Sequence, residues 1–275
     1  MTDKLDAMNR IARSAGAAIL DIYADADFGV ETKADDSPLT RADLAAHRII
    51  VAGLRDAFPD IPVLSEESDG LGFEERRQWQ SYFLVDPLDG TKEFISRNGE
   101  FTVNIAFIDQ HVPVTGVVYV PVKDVLYAGD RTGGRATAWV ESASGRSDIR
   151  VRALDQQSPL TVVASRRHGG EALQACMQTL VSHFEHIETT NMGSSLKLCL
   201  VAEGKADLYP RLAPTSEWDT AAAQAVVEAA GGRVVDMAFK DLRYNTKEDI
   251  LNPFFYVVAD TSFDWHGLLR DVSIP

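Results

Sequence analysis

Two aspartates stand three residues apart in VDPLDGT, Val85 to Thr91, directly after the apolar run Tyr82-Phe83-Leu84-Val85. Asp, Pro and Gly are turn residues for separate mechanical reasons, so an ordinary turn accounts for Asp86, Pro87, Asp89 and Gly90. A metal-binding turn accounts for them equally, because it needs hard oxygens on a stiff backbone. Two other acidic places share this ambiguity. Glu66-Glu67 reads as a solvated loop or as a ligand, and Asp219 as the cap of the helix that follows it or as a ligand. Each of these acids lies just past a short strand or at a helix start, where layered folds gather their functional loops. Glu66, Asp86, Asp89 and Asp219 together make four carboxylates, which repel one another unless a cation neutralises them. Oxygen ligands without a His or Cys partner select Mg²⁺, Mn²⁺ or Ca²⁺ over zinc. Asp86 can bridge two ions, the Leu88 carbonyl is a further hard ligand, and Gly90 lets the backbone approach an anion closely.

Two more residues point from metal storage to chemistry. Thr91 places a hydroxyl directly after the turn, and Asp43 lies three residues after Thr40. Thr40-Arg41-Ala42-Asp43 fits a capping box. The same acid, paired with a hydroxyl beside a metal, would orient a water for in-line attack. Two metals about 3.5–4 Å apart stabilise both the attacking and the leaving oxygen of a phosphoryl transfer.

The elements that must position these residues follow from periodicity. Leu5, Met8, Ala12, Ala15, Ile19 and Ile22 recur on one helix face. Residues 24–38 read mostly as loop, and a second helix starts near Thr40 with Leu44, His47, Val51, Leu54 and Phe58 on its stripe. His47 is expected to pack rather than to ligate. Short strands are expected over Ile61 to Leu64 and Tyr82 to Val85, with an acidic and basic connector over 69–80. Phe101 to Ile108 alternates as a strand should, and Val112 to Val120 and Val125 to Ala128 continue the run of strands. The polar segment Glu141 to Asp148 marks a boundary between a part spanning 1–145, with most of the acids, and a part spanning 146–275, with Asp219. The two parts are expected to pack intimately as one catalytic unit. The second part alternates: strand Leu160 to Ala164, helices Glu171 to Val181 and Ser194 to Glu203, strand Asp207 to Tyr209, helix Asp219 to Ala230 ended by Gly231-Gly232, and strands Arg233 to Val235 and Phe254 to Val258. The class is mixed α and β, in layers.

Composition bounds the partners. The 275 residues are 45% hydrophobic and 25% charged, with a formal net charge of −14. Such a field repels nucleic acid and anionic membrane surfaces, so an anionic substrate would need metal cations or a local basic cluster. Cys176 and Cys199 form neither a ligand-spaced pair nor a disulfide framework and read as reduced core or half-buried residues. MTDKLDAMNR has no apolar stretch before a cleavage site, and no run approaches the roughly 18 apolar residues of a membrane span. The expectation is a cytoplasmic protein, with peripheral association at the inner membrane left open. Oligomeric state is not legible.

LSEES, VDPLDGT and EWDTAAAQAVVEAAGG, in this order, resemble the three motifs of the lithium-sensitive, magnesium-dependent phosphatases of the inositol monophosphatase superfamily. GTKEFISRNGEFTVNIA and GSSLKLCLVAEGKADLYPR resemble the 3′(2′),5′-bisphosphate nucleotidases of the bacterial CysQ type. The resemblance runs from about Leu5 to Val258. It implies an α+β fold, a layered αβαβα sandwich shared with fructose-1,6-bisphosphatase. It implies that Glu66, Asp86 and the Leu88 carbonyl hold one Mg²⁺, and that Asp86, Asp89 and Asp219 hold a second; a third ion joining only with substrate is left open. Asp43 and Thr91 match the pair that positions the attacking water. The implied substrate is the small nucleotide adenosine 3′,5′-bisphosphate (PAP), cleaved to AMP and phosphate, with the sulfated form PAPS as a further candidate. The implied role is PAP removal in sulfate assimilation. Substrate contacts fall on Glu66, Leu88, Asp89, Gly90, Thr91 and Asp219, with Ser194, Lys197 and Arg211 in the nucleotide-binding half. Arg166, Arg167 and His168 read as surface charge or as phosphate ligands.

Three alternatives compete. Simple inositol phosphatases and fructose bisphosphatases share the metal motifs, but the former usually resemble Gly-Thr-Thr-Asn-Phe where this chain has Gly-Thr-Lys-Glu-Phe, Gly90 to Phe94. Haloacid-dehalogenase-type phosphatases also end a motif in Asp-Gly-Thr, but with their aspartates two apart, which argues against an aspartyl-phosphate here. A nucleotide- or cation-sensing module would need the four acids but not Asp43 and Thr91.

Overall fold

The computed structural model describes residues 3–25, 29–32, 38–68, 71–155, 157–164 and 170–272. The stripe of the first segment folds as α1 (Asp3–Tyr23), which buries Leu5, Met8, Ala12, Ala15 and Ile19. After a two-residue pairing of β1 (Glu31–Thr32) with β2 (Pro38–Leu39), Thr40 caps α2 (Arg41–Ala57). Alanines on both buried faces let α1 and α2 pack side by side as the first layer.

The second layer is a seven-stranded sheet. Its strands are β3 (Val63–Ser65), β4 (Ser81–Asp89), β5 (Thr102–Asp109), β6 (Val112–Val120), β7 (Val125–Asp130), β8 (Thr137–Ser142) and β9 (Gly145–Asp148), in that order. Only β3 and β4 run parallel. A single turn, α3 (Phe73–Arg76), lies between them. The polar stretch 141–148 is the tip and outer strand of the β8–β9 hairpin, at the sheet's edge. Edge strands rich in polar residues resist unwanted pairing, which explains a composition that reads like a linker.

The third layer is helical. It consists of α6 (Leu196–Ala202) and α7 (Glu217–Ala229). α7 is buried nearly all round, and Ala221, Ala222, Ala223 and Ala225 keep it slim. It lies directly on β6 and β7: a Cβ on Gly116 would meet the Ala222 carbonyl oxygen at 2.1 Å, and one on Gly129 the Ala225 carbonyl oxygen at 2.6 Å. Glycine in a strand interior marks such a close backbone approach.

A five-stranded sheet forms the fourth layer, in the order β11 (Ile187–Asn191), β10 (Leu160–Ala164), β12 (Leu208–Arg211), β14 (Phe255–Val258) and β13 (Arg233–Asp236). α5 (Glu171–His183) and α8 (Trp265–Leu269) cover its outer face. Three apolar clusters fill the sandwich. One lies between α1–α2 and the large sheet, one around α6–α7 between the sheets, and one under α5 and α8. The layered αβαβα expectation holds. Strand β11 and helix α8 have no counterpart in the periodicity reading, because β11 is a polar edge strand and α8 is short. Cys176 and Cys199 are both buried and unpaired, as expected. No helix among the described residues is long and apolar enough to cross a membrane.

Candidate metal and substrate site

The acids of VDPLDGT do not follow a strand; they are part of one. β4 runs to Asp89, with Asp86 opposite Asn104 and Asp89 opposite Thr102, and the register shifts between them. Pro87 cannot donate to the ladder, so the chain bulges there and re-aims the side chains. Asp86 is 1% exposed, and its carboxylate accepts the Leu88 N–H at 3.0 Å. A helical turn, α4 (Thr91–Ile95), starts immediately after, with Gly90 in the left-handed region at φ 93°.

Glu66 arrives from the parallel neighbour. Its N–H donates to the Val85 carbonyl at 3.0 Å, which sets its side chain close enough to Asp86 to raise that acid's pKa. Asp219 arrives from the opposite layer, in the first turn of α7. The helix begins at Glu217, so Asp219 is its third residue rather than its cap, and its Oδ2 accepts the Ser216 N–H at 2.9 Å. Asp86, Asp89 and Asp219 each bring one carboxylate oxygen within 4.8 Å of the others. Burial raises the pKa of Asp86, and Glu66, Asp89 and Asp219 raise it further. Burial, then Asp89 and Glu66, push Asp219 up to about 8. These are acids held together against their own charge, and hard oxygens of this number and spacing fit divalent cations of the Mg²⁺ kind. The Leu88 carbonyl lies 3.4 Å from the Thr91 hydroxyl.

Thr91 also joins Asp43 to the site. Its hydroxyl donates to Asp43 Oδ1 at 3.1 Å. The other oxygen, Oδ2, accepts the Thr40 N–H at 2.8 Å and the Thr40 hydroxyl. The capping box expected over Thr40–Asp43 therefore exists, and it coexists with the contact to Thr91. Asp43 is 2% exposed, and burial raises its pKa against the lowering effect of the Thr40 bonds.

A pocket of about 140 Å³ opens beside the acids, lined by Asp89, Gly90, Ser194, Lys197, Arg211 and Asp219 among others. Lys197 is 7% exposed, and its ammonium donates to the carbonyls of Ser194 at 2.7 Å and Met192 at 3.2 Å. Burial lowers its pKa to about 8 although Asp89 pulls the other way. Arg211 donates to the Pro214 carbonyl at 2.7 Å and keeps a buried Nε without a partner. Ser194 sits at φ 44° with a buried, unpartnered hydroxyl. Unsatisfied buried donors at a pocket wall are what an anionic ligand would complete. Arg166, Arg167 and His168 lie outside the described residues. His47 is half-buried and bonds the Ser65 hydroxyl at 2.8 Å.

Three residues escaped the sequence reading: Thr102, Asn104 and Ser195, all gathered on Asp89. Its Oδ2 accepts the Ser195 N–H at 2.6 Å, the Ser195 hydroxyl, the Asn104 amide at 3.3 Å and the Thr102 hydroxyl at 3.4 Å. A signal was present. Thr102 and Asn104 alternate with Phe101, Val103 and Ile105, so the polar pair lies on the sheet face opposite α1 and α2, and it is fully buried there.

The chain matches the model of the inositol monophosphatase family over residues 2–262. It is 53% identical over 254 residues to the "3′(2′),5′-bisphosphate nucleotidase CysQ" of Escherichia coli O157:H7, covering 92% of this chain and 98% of that one. The protein of the same name from Buchnera aphidicola is 43% identical over 93% of each chain. Among solved structures, CysQ from Bacteroides thetaiotaomicron, described as a bacterial member of the inositol monophosphatase family, superposes with a TM-score of 0.81. It is 44% identical, over 93% of this chain and 97% of that one. On its motifs, its five layers and these likenesses, this chain belongs to the inositol monophosphatase family.

Proposed function

We propose that the chain is a Mg²⁺-dependent phosphatase that hydrolyses PAP to AMP and phosphate and acts on PAPS as a related substrate, serving PAP removal in sulfate assimilation. The observation that carries the reading is the Thr91–Asp43 hydrogen bond of 3.1 Å at the rim of the acidic cluster. A cation store or sensor needs the acids but gains nothing from that pair. The nucleotidase name carried by relatives about half identical to this chain supports the substrate.

Glu66, Asp86 and the Leu88 carbonyl would hold one cation, and Asp86, Asp89 and Asp219 a second. When bound, the ions activate a water and stabilise charge on the attacking and leaving oxygens. The chain's own residues supply orientation and a proton path. The Thr91 hydroxyl donates to Asp43 Oδ1, so its lone pairs face outward to accept a hydrogen bond from a water. As the water oxygen bonds to phosphorus and the P–O bond to the nucleotide breaks, the water proton passes to Thr91 and the Thr91 proton to Asp43 Oδ1, in a carboxyl held rigid by Thr40. A base of this kind contributes about 10²–10⁴-fold. Gly90 brings the backbone close to the phosphoryl group. Lys197, Arg211 and Ser194 receive the phosphate that the cations do not hold, where charge-assisted hydrogen bonds are strong.

The test is phosphate release with Mg²⁺ from PAP, inositol 1-phosphate and fructose 1,6-bisphosphate, with and without lithium. Preference for PAP with inhibition by lithium is the expected result. Preference for inositol 1-phosphate would retain the metal chemistry and overturn the nucleotide assignment.

A further inference from the structure

We propose that Ser195 is a positioning residue for the second cation site: it fixes which oxygen of Asp89 is offered to the ion and how far Asp89 stands from Asp219. The inference rests on the metal reading above and goes beyond it to a residue that touches neither the reacting atoms nor the ion.

Geometry carries the argument. Asp89 is on the large sheet, Asp219 is on α7, and Ser195 immediately precedes α6. Ser195 contacts the carboxylate of Asp89 and the backbone of Asp219. Its N–H and its hydroxyl converge on Asp89 Oδ2, and the same hydroxyl oxygen lies 2.9 Å from the backbone carbonyl of Asp219. Asn104, from the neighbouring strand β5, donates to the Ser195 hydroxyl at 2.7 Å. Ser195 is 2% exposed and Asn104 1%, so water does not compete for these bonds.

Two consequences follow. A carboxylate oxygen offers about two lone pairs, and the Ser195 N–H, the Asn104 amide and the Thr102 hydroxyl already meet at Oδ2 without counting the Ser195 hydroxyl, whose single proton serves either Asp89 or the Asp219 carbonyl. That oxygen is saturated, and Oδ1 alone remains for a cation, so Asp89 is a one-oxygen ligand of defined direction. With its N–H donated to Asp89 and its hydroxyl proton to the Asp219 carbonyl, Ser195 also ties β4 to the first turn of α7 across the interface of two layers. The separation of two ligands from different layers is thereby set by one small side chain. Outer partners of ligating carboxylates commonly change metal affinity about 10–100-fold when removed.

The experiment is a Mn²⁺ titration of the full chain with free Mn²⁺ read by electron paramagnetic resonance, on wild type, Ser195→Ala and Ser195→Thr, with no substrate present. Melting of each variant in EDTA is measured alongside. Ser195→Ala is expected to lose about tenfold or more in affinity at one class of site while its EDTA melting temperature stays close to wild type. Ser195→Thr, which keeps the hydroxyl, should restore much of the affinity. Wild-type Mn²⁺ affinity in Ser195→Ala overturns the proposal. So does a loss of affinity matched by general destabilisation that Ser195→Thr fails to repair. A wild-type chain that binds no Mn²⁺ would instead overturn the metal reading, so the two failures are distinguishable.

Discussion

Asp43 divides its two oxygens between two tasks: Oδ2 closes the capping box of α2 through Thr40, and Oδ1 accepts the Thr91 hydroxyl at 3.1 Å. The structural role and the chemical role, which compete as explanations of the sequence, are both present in one side chain. This predicts different costs for removing Thr91 and for removing Asp43 itself. Thr91→Ala should lower kcat by about 10²-fold or more with the melting temperature nearly unchanged. Asp43→Ala should lose activity and also about 1 kcal/mol of stability, because it leaves the Thr40 N–H at the cap without its acceptor. Phosphate release and thermal melting on both variants check this, and a Thr91→Ala enzyme with normal turnover would contradict it.

Metal removal should leave a signature in pH. Asp219 is pushed up to about 8 and Asp86 is raised as well, both mainly by burial. A carboxyl whose folded pKa is raised lends stability that is fully present below its unfolded pKa, about 4. That stability is lost as pH rises through the folded value. The metal-free protein should therefore weaken between about pH 4 and pH 8. Cation binding to the ionised acids removes the penalty by linkage. The gain in melting temperature from millimolar Mg²⁺ over EDTA should grow across that window. A gain independent of pH would show that these acids are not where the ion binds.

Much of this was legible from the chain, for identifiable reasons. The four acids, the Thr40–Asp43 box and the long helices are local patterns, and local patterns survive folding. The position of Asp86 and Asp89 inside β4 was not, because a Pro-Leu insertion that looks like a turn is here a bulge held between two strand neighbours. The role of Ser195 was not legible either. It depends on three segments, around residues 89, 104 and 219, meeting in space, and no spacing in the sequence encodes that meeting. The polar hairpin of β8 and β9 reads like a linker because edge strands and linkers share a composition.

Asp89→Asn tests the saturation of one oxygen. The Ser195 N–H, the Asn104 amide and the Thr102 hydroxyl meet at Oδ2, so the amide oxygen of an asparagine must take that position. Its NH₂, a donor, then faces the cation. The variant should bind Mn²⁺ far more weakly and lose about 10²–10³-fold or more in kcat, the value of several kcal/mol of charge stabilisation. Its fold should be retained, as near-normal melting in EDTA would show. A variant rescued by modestly higher Mg²⁺ would mean that Asp89 contributes charge rather than a directed ligand.

Gly116 tests the layer contact that carries Asp219. A Cβ there would overlap the Ala222 carbonyl oxygen, and neither the strand nor the helix backbone can yield cheaply. Gly116→Ala should cost about 1–3 kcal/mol by overpacking and should also weaken cation binding, because α7 must move. Denaturant unfolding with a parallel Mn²⁺ titration reads both. Loss of stability with unaltered affinity would separate the seat of α7 from the geometry of the site.

The last test separates the substrate's two phosphates. Arg211 is 9% exposed at the pocket wall, with one donor engaged by Pro214 and a buried Nε unpartnered. Its guanidinium is therefore held in place with capacity to spare. Arg211→Met keeps much of its apolar volume and removes the charge. A lost hydrogen bond to a charged group is worth about 1.5–3 kcal/mol, so KM for PAP should rise about 10–100-fold with kcat largely retained. Inositol 1-phosphate has a single phosphate, which under the proposed function would go to the cations, so whatever turnover the wild type shows on it should change little. Lys197→Met should behave differently, because its ammonium also braces the Met192 and Ser194 carbonyls, and kcat should fall with it. Equal losses on PAP and on the monophosphate in Arg211→Met would place Arg211 at the reacting phosphate instead.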